Sequence, residues 1–279
     1  GTGVTVTGLT NGTSYTFQVK ARNGDLTATA FGSTASATTY TSAPTIGTPS
    51  VLSTSSIRWT FTDTATAETG FKVYDGSNTL MVTCATANLT YCDETSLSVN
   101  TTYTRKVVSY NGTGNSGYSS TASIYTLANV PGTPTVTPVT ATTESVVVAV
   151  NSNPAATEFS IQETGSTNYV NKTTGALQVA ASWGTYAEFG SGSGVTVTGL
   201  SSGTTYTFQV KARNGDSTAT AFGTSAAGRT KSVVTSASLP ASIATVVLAS
   251  DGITDLTSAS NAQTGTQTIR LQKAGSIKV

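Results

Sequence analysis

A chain of 279 residues with 14 Lys and Arg against 13 Asp and Glu carries a net charge of +1, and only 10% of its residues are charged. That balance, without any local basic cluster, excludes an electrostatic footprint for nucleic acid, and no apolar run of 18 residues provides a membrane-spanning helix. The lack of histidine removes the commonest general base, the usual catalytic triads and most zinc sites.

Residues 1–40 predict three strands. Gly3-Val4-Thr5-Val6-Thr7-Gly8-Leu9 leads into a turn, and from Tyr15 the pattern alternates, with Tyr15, Phe17, Val19 and Ala21 on one face. Period 2 of this kind is a half-buried strand. Asn23-Gly24 then reads as a two-residue hairpin turn with left-handed backbone, followed by Thr27-Ala28-Thr29-Ala30-Phe31-Gly32. The same lettering returns at 192–230, offset by 191, with 29 identities in 39 positions and with Leu200, Tyr206, Phe208, Val210 and Ala212 as the row. Three strands leave an apolar face bare. The first copy therefore reads as the closing strands of a module completed from upstream or by another chain.

A linker, Thr41-Ser42-Ala43-Pro44, precedes a second module over 41–128. Its inward row is Ile57, Trp59 and Phe61, followed by Phe71 and Val73. In a third module over 129–230 the counterparts are Val146, Val148 and Val150, then Phe159 and Ile161. An insert between Gly165 and Gly194 brings Tyr169, Trp183, Tyr186 and Phe189. Residues 231–279 hold no aromatic residue and read as the start of a further β-domain, with strand pieces at 244–248 and 266–271. Cys84 and Cys92 suggest a local disulfide clipping a hairpin in an oxidising compartment, or else two buried thiols.

The run Leu200, Gly203, Thr204, Tyr206, Phe208, Val210 and Ala212 resembles the E–F corner and strand F of fibronectin type III domains, with Ser202 in place of the usual proline. The first copy matches likewise, with Asn11 at that place. Trp59 matches the strand-B tryptophan, for which the third module has Val148. The middle module departs from the pattern, with Asn100 for Gly and Arg105 for the inward Phe. A bulge there, or an arginine reaching solvent at an edge, is expected. The resemblance covers about residues 1–230. It implies an all-β fold of tandem immunoglobulin-like, fibronectin type III β-sandwiches, with a partial first module (strands E, F and G) and a partial C-terminal segment. It also implies an exported, microbial surface protein, and it makes Tyr15, Tyr103 and Tyr206 structural corner tyrosines.

Such a fold carries many functions, so function has to come from sites. The carboxylates are scattered, including Glu68, Asp75, Asp93, Glu94, Glu144, Glu158, Glu163 and Glu188, and no spacing pairs two of them for catalysis. No cofactor is expected. Asp251-Gly252 and Asp255 offer at most a weak calcium site against an ordinary turn. Arg22-Asn23-Gly24-Asp25 and its copy at 213–216 read as hairpin turns in preference to attachment loops. Trp183, Tyr186 and Phe189 are core residues or a glycan-stacking surface, and Asn11, Asn88, Asn100, Asn111 and Asn171 begin glycosylation sequons. The expected protein is non-enzymatic, extracellular or at the cell surface. Its modules would associate with each other or with neighbouring copies in a surface layer, rod or filament. The alternative is a spacer or carbohydrate-binding part of a larger secreted enzyme or adhesin.

Overall fold

The computed structural model describes residues 3–234 and the short strands 247–249, 269–271 and 276–278. The chain forms two compact units, Gly1–Leu127 and Ala128–Val279. All but one of the described regular elements are strands, the exception being a short 3-10 turn at Ser191–Ser193.

In the first unit, β1 (Ser14–Phe17) and β2 (Ala35–Thr38) form a two-stranded antiparallel ribbon. A full sandwich follows. Its first sheet joins β3 (Thr45–Ile46), β4 (Ser50–Val51), β5 (Ile57–Thr62) and β8 (Tyr91–Glu94), all paired on β5. Its second sheet runs β7 (Leu80–Cys84), β6 (Gly70–Asp75), β9 (Thr102–Asn111), with β10 (Gly114–Asn115) and β11 (Ala122–Tyr125) on the far edge of β9. Alternation on β5 sends Ile57, Trp59 and Phe61 into the core against Phe71, Val73 and Val107. Aromatic and β-branched residues suit this pleated, buried surface.

The second unit repeats the plan. One sheet runs β12 (Thr135–Pro138), β13 (Glu144–Val147), β18 (Val195–Val197). The other contains β14 (Glu158–Glu163), β15 (Tyr169–Val170), β16 (Leu177–Gln178), β17 (Gly184–Thr185), β19 (Thr205–Arg213) and β20 (Ala226–Arg229), with β14 against β19 at its centre. Beyond it β21 (Ser232–Val234) pairs with β23 (Ile269–Leu271), and β22 (Val247–Ala249) with β24 (Ser276–Lys278).

Three expectations are corrected by the backbone. First, pairing sets Trp59 opposite Cys92 and Val146 opposite Val195, with Ile57 opposite Glu94 and Glu144 opposite Val197. Leu97 and Leu200 each stand six residues before a corner tyrosine, Tyr103 and Tyr206. Cys92 and Val195 each lie five residues before those leucines and Glu94 and Val197 three before, so the third-module counterpart of Trp59 is Val146, and that of Ile57 is Glu144. A register moved by two keeps the inward face unchanged, so apolar periodicity alone does not detect the move. Second, Asn23-Gly24 is not a left-handed pair. Asn23 N–H donates to the Thr27 carbonyl, Leu26 N–H to the Asn23 carbonyl, and the left-handed residue is Leu26, with φ 66°. The Asn23 side-chain oxygen accepts the N–H groups of Asp25 and Thr27, which closes the longer loop. In the copy, Ser217 takes the left-handed place. Third, Cys84 and Cys92 are disulfide-bonded, but they do not clip a hairpin. Cys84 ends β7 in one sheet and Cys92 lies on β8 in the other, so the bond stitches the two sheets together.

The stretch 41–44 is fastened to the second module. Thr41 is buried with its hydroxyl 2.6 Å from that of Ser109, which in turn donates to the Ser42 carbonyl. Asn111 reaches back to the Thr39 carbonyl and the Thr113 hydroxyl to that of Thr38.

Each corner tyrosine hydroxyl accepts a backbone N–H from five residues earlier: Thr10 to Tyr15 and Ser98 to Tyr103 at 2.8 Å, and Ser201 to Tyr206 at 2.9 Å. A threonine at the end of the last strand completes each corner. Thr39, Thr126 and Thr230 donate to the carbonyls of Thr10, Ser98 and Ser201 and accept the N–H of Thr13, Thr101 and Thr204. Thr126 and Thr230 are buried, so replacing either by valine leaves an orphaned N–H and C=O. Thr230→Val lowers the stability of the second unit by about 1–3 kcal/mol, read as a lower urea midpoint at unchanged m-value; an unchanged midpoint refutes the clamp. Cys84→Ser with Cys92→Ser opens a short loop and lowers first-unit stability by roughly 2–3 kcal/mol by the same measurement.

Candidate functional site

The two copies of one sequence meet opposite fates. In the second unit Val195, Val197, Phe208 and Val210 are 8%, 0%, 0% and 0% exposed, covered by Val146, Val148, Phe159 and Ile161. Their counterparts Val4, Val6, Phe17 and Val19 are 91%, 49%, 40% and 80% exposed. Secondary structure changes with burial. The tyrosine strand is nine residues long where β14 and β20 flank it, and four where only β2 does. Val195–Val197 is a strand because β13 supplies its ladder, whereas Val4–Val6 has no such partner and is no strand, contrary to the three strands expected. Each such side chain gains roughly 1.5–3 kcal/mol on full burial, so the first copy presents a row of apolar groups with a large unsatisfied driving force. The edge of the same strand is open as well. The residues equivalent to 17–22 in the second unit carry the β14–β19 ladder, and there Glu158 pairs with Arg213 at 2.6 Å. Among the described residues Arg22, the counterpart of Arg213, makes no ion pair.

The aromatic insert divides. Phe189 is buried in the core and Tyr186 packs against it. Trp183 instead lies outside, half-buried over Arg213 at 4.6 Å and Lys211 at 5.3 Å. Tyr169 and Phe222 also face the Lys211 ammonium, at 5.2 and 5.0 Å. Trp183, Tyr186 and Phe189 therefore form no common surface. The outer cluster is Trp183, Tyr169 and Phe222 around a cation, and Phe222 comes from beyond the insert. Lys20 stands over Phe31 in the same way in the first copy, at 5.0 Å.

Two buried carboxylates mark the cores. Arg105 is neither bulged nor at a solvent edge. It is 6% exposed and pairs in bidentate fashion with Glu94, Nη2 to Oε1 at 2.7 Å and Nε to Oε2 at 2.9 Å, while Trp59 Nε1 donates to Glu94 Oε2 at 2.8 Å. The inward Phe is thus replaced by a charge because the facing strand supplies the opposite charge. A depression of about 520 Å³ lies beside this pair, lined by Met81, Thr83, Asp93, Leu97 and Tyr103 among others.

In the second unit the equivalent places are Val197 and Phe208, and the acid has moved to Glu144. Its side chain is fully buried and neither oxygen has a hydrogen-bond partner. Gly228 makes the room: a Cβ there would stand 2.8 Å from Glu144 Oε1 and 2.5 Å from Val136. The first unit has Ile57 and Ile124 at these two places. Burial pushes the Glu144 carboxyl up to about 7.

The other carboxylates serve their own loops or pairs. Asp93 binds Arg58, Glu188 binds Lys172, Glu163 holds the Gly165-Ser166 turn, Glu68 accepts the Asn88 N–H, and Asp75 closes the 75–79 loop. Of the sequon asparagines, Asn11 and Asn88 are exposed, although Asn11 donates to the Ser42 hydroxyl. Asn100 is half-buried with φ 42°. Asn111 and Asn171 use both side-chain atoms: Asn111 donates to the Thr39 carbonyl and accepts the Thr113 N–H, and Asn171 donates to Gln178 and accepts the Thr173 N–H. Asp251, Gly252 and Asp255 lie outside the described residues. Among the described residues no helix is long and apolar enough to cross a membrane.

No protein-family model matches the sequence, and no curated protein matches it. Among solved structures, a two-domain fibronectin type III segment of chicken tenascin aligns with 68% of this chain and 97% of its own, at 11% identity and a TM-score of 0.40. The FN1-FN3 domains of chicken CNTN1 align with 79% of this chain and 76% of their own, at 17% identity and a TM-score of 0.28. The described residues are all-β apart from one 3-10 turn, and the two complete modules are fibronectin type III-like sandwiches by their own strand order and corner tyrosines.

The Glu144 carboxyl makes second-unit stability depend on pH. β12 and β18, which flank it, carry no ionisable side chain, Tyr206 on β19 is committed to the corner, and Arg229 on β20 is exposed on the alternate face. The folded chain keeps a proton that the unfolded chain, with its carboxyl near 4.5, releases. Stability is therefore full below about pH 4.5, falls by roughly 3 kcal/mol as pH rises to about 7, and is flat above that as far as this group is concerned. Glu144→Gln removes this slope in urea titrations of the second unit; an unchanged slope refutes the assignment.

Proposed function

We propose that this chain is a non-enzymatic structural protein of the extracellular space or cell surface, its sandwich modules serving as the units of a surface layer, rod or filament held by module-to-module contacts. The observation that carries this reading is the uncovered row at Val4, Val6, Phe17 and Val19, whose copies in the same chain are core. A row of exposed apolar side chains favours association, and β-strand addition to an open edge is one route by which modules join. The inter-sheet disulfide agrees with an oxidising compartment. The outer cluster of Trp183, Tyr169 and Phe222 around Lys211 favours a second reading, a glycan-binding or spacer part of a larger secreted protein.

Sedimentation velocity and electron microscopy of the full chain at rising concentration test the first reading. Ordered assemblies are expected, with Val19→Asp raising the concentration needed by at least ~tenfold; a monodisperse monomer at high concentration sinks it. Binding on a glycan array that Trp183→Ala abolishes supports the second reading, and an empty array removes it.

A further inference from the structure

The outer face of the first unit's second sheet carries two charges that nothing on it matches. Pairing sets Lys72 opposite Val108 and Tyr74 opposite Lys106, so Lys72 and Tyr74 on β6 share one face with Lys106 and Tyr110 on β9. Phe71, Val73 and Val107 point the other way, into the core. Lys72 Nζ stands over the Tyr110 ring at 4.5 Å and Lys106 Nζ over the Tyr118 ring at 4.2 Å, and Tyr118 meets Tyr74 edge to face at 5.4 Å. A ring face attracts an ammonium without neutralising it. The five strands of this sheet contain one carboxylate, Asp75, and it accepts the N–H groups of Ser77 and Thr79 in its own turn. Their remaining cation, Arg105, points inward to Glu94. Arg58, Lys172 and Arg213 likewise have carboxylate partners. Among the described residues Lys72 and Lys106 make no ion pair, and their ammonium groups donate to the side-chain oxygens of Asn115 and Asn78. The aromatic cover recurs in the second unit. Ser119 N–H donates to the Val107 carbonyl and Gly223 N–H to that of Val210, so Tyr118 and Phe222 hold equivalent places, and Phe222 stands over Lys211. The lysine lies three residues after Tyr103 in one unit and five after Tyr206 in the other, yet the pair persists.

Resting on the glycan-binding reading above, we propose that this face of the first unit binds an acidic glycan, a chain of sugars bearing carboxylates. The carboxylates sit on Lys72 and Lys106, and a sugar ring lies against Tyr118, which is 45% exposed. Two unmatched positive charges on a protein of low charge select an anion. The tyrosine ring offers a flat apolar surface to the C–H face of a sugar. The carboxamides of Asn78 and Asn115 lie beside the ammonium groups and keep donor and acceptor capacity for sugar hydroxyls. An acidic peptide matches the charge alone; the ring and the carboxamides set between the charges favour a sugar.

The probe is a polyglucuronate oligosaccharide titrated into the full chain by calorimetry, beside an uncharged glucose oligosaccharide of the same length and poly-glutamate. Polyglucuronate binding is expected, and it weakens as salt rises. Lys72→Gln with Lys106→Gln weakens it by at least ~tenfold. Tyr118→Leu weakens it with the salt dependence unchanged. Lys172→Gln, whose charge Glu188 already matches, leaves it unaltered. Tyr118 is exposed and both lysines are half-buried, so these variants stay folded, as the urea midpoint of the first unit verifies. Equal binding by the double lysine variant overturns the proposal, because the site is then elsewhere. Equal binding of poly-glutamate or of the uncharged sugar also overturns it, because sugar or charge is then not what is read. Binding of the uncharged sugar alone, abolished by Trp183→Ala, overturns the proposal and leaves the glycan-binding reading standing. Binding of neither sugar removes both.

Discussion

Everything in this structure depends on covering one row of alternating side chains on the central strand of each module. In the second unit Phe208, Val210 and Ala212 are sealed beneath Val146, Val148, Phe159 and Ile161, and the strand extends to nine residues with neighbours on both sides. Where the identical row has no cover, only four residues hold strand geometry and the preceding valines hold none. Strand propensity is nearly the same in the two copies, because from Tyr15 to Arg22 the letters match Tyr206 to Arg213. The difference is tertiary, as expected if strands are stabilised mainly by cross-strand pairing and burial.

The corner behaves differently. Tyr15 makes its backbone hydrogen bond in the uncovered copy at the same length as Tyr103 does in the covered middle module, and Thr39 closes its clamp as Thr126 and Thr230 do. These contacts lie within one corner and the end of the next strand, so they do not depend on what covers the strand's face. The first copy therefore keeps its shape at the turn and loses it along the strand.

The two complete sandwiches solve one packing problem in two ways. The first unit carries Glu94 with Arg105 and Trp59 as partners, so a buried charge is matched and fully bonded. The second carries Glu144 with no partner and a glycine opposite to accommodate it. A matched pair holds its register through geometry, and breaking it strands a charge; a lone carboxyl holds a proton instead and ties stability to pH. The same architecture thus gives two modules with different electrostatic sensitivities.

The sandwich class, the strand alternation, the repeat and the corner tyrosines were legible in the chain because each depends on local spacing: leucine to tyrosine, tyrosine to threonine, every second residue along a strand. The threonine clamp was legible in principle too, 24 residues after Tyr15 and Tyr206 and 23 after Tyr103, since the offset recurs to within one residue. Partners that meet across the two sheets were not. Pairing across 11 residues gives Arg105 its acid, a two-residue register change puts Glu144 where Ile57 stands, and folding of the insert separates Trp183 from Tyr186 and Phe189. Burial is a property of what lies opposite, and the sequence of a strand does not contain it. The bare face of the first copy was expected from its three strands; only the tertiary structure decided how much strand geometry it keeps without cover, four residues against nine, because the ladder depends on neighbours the strand's own letters do not contain.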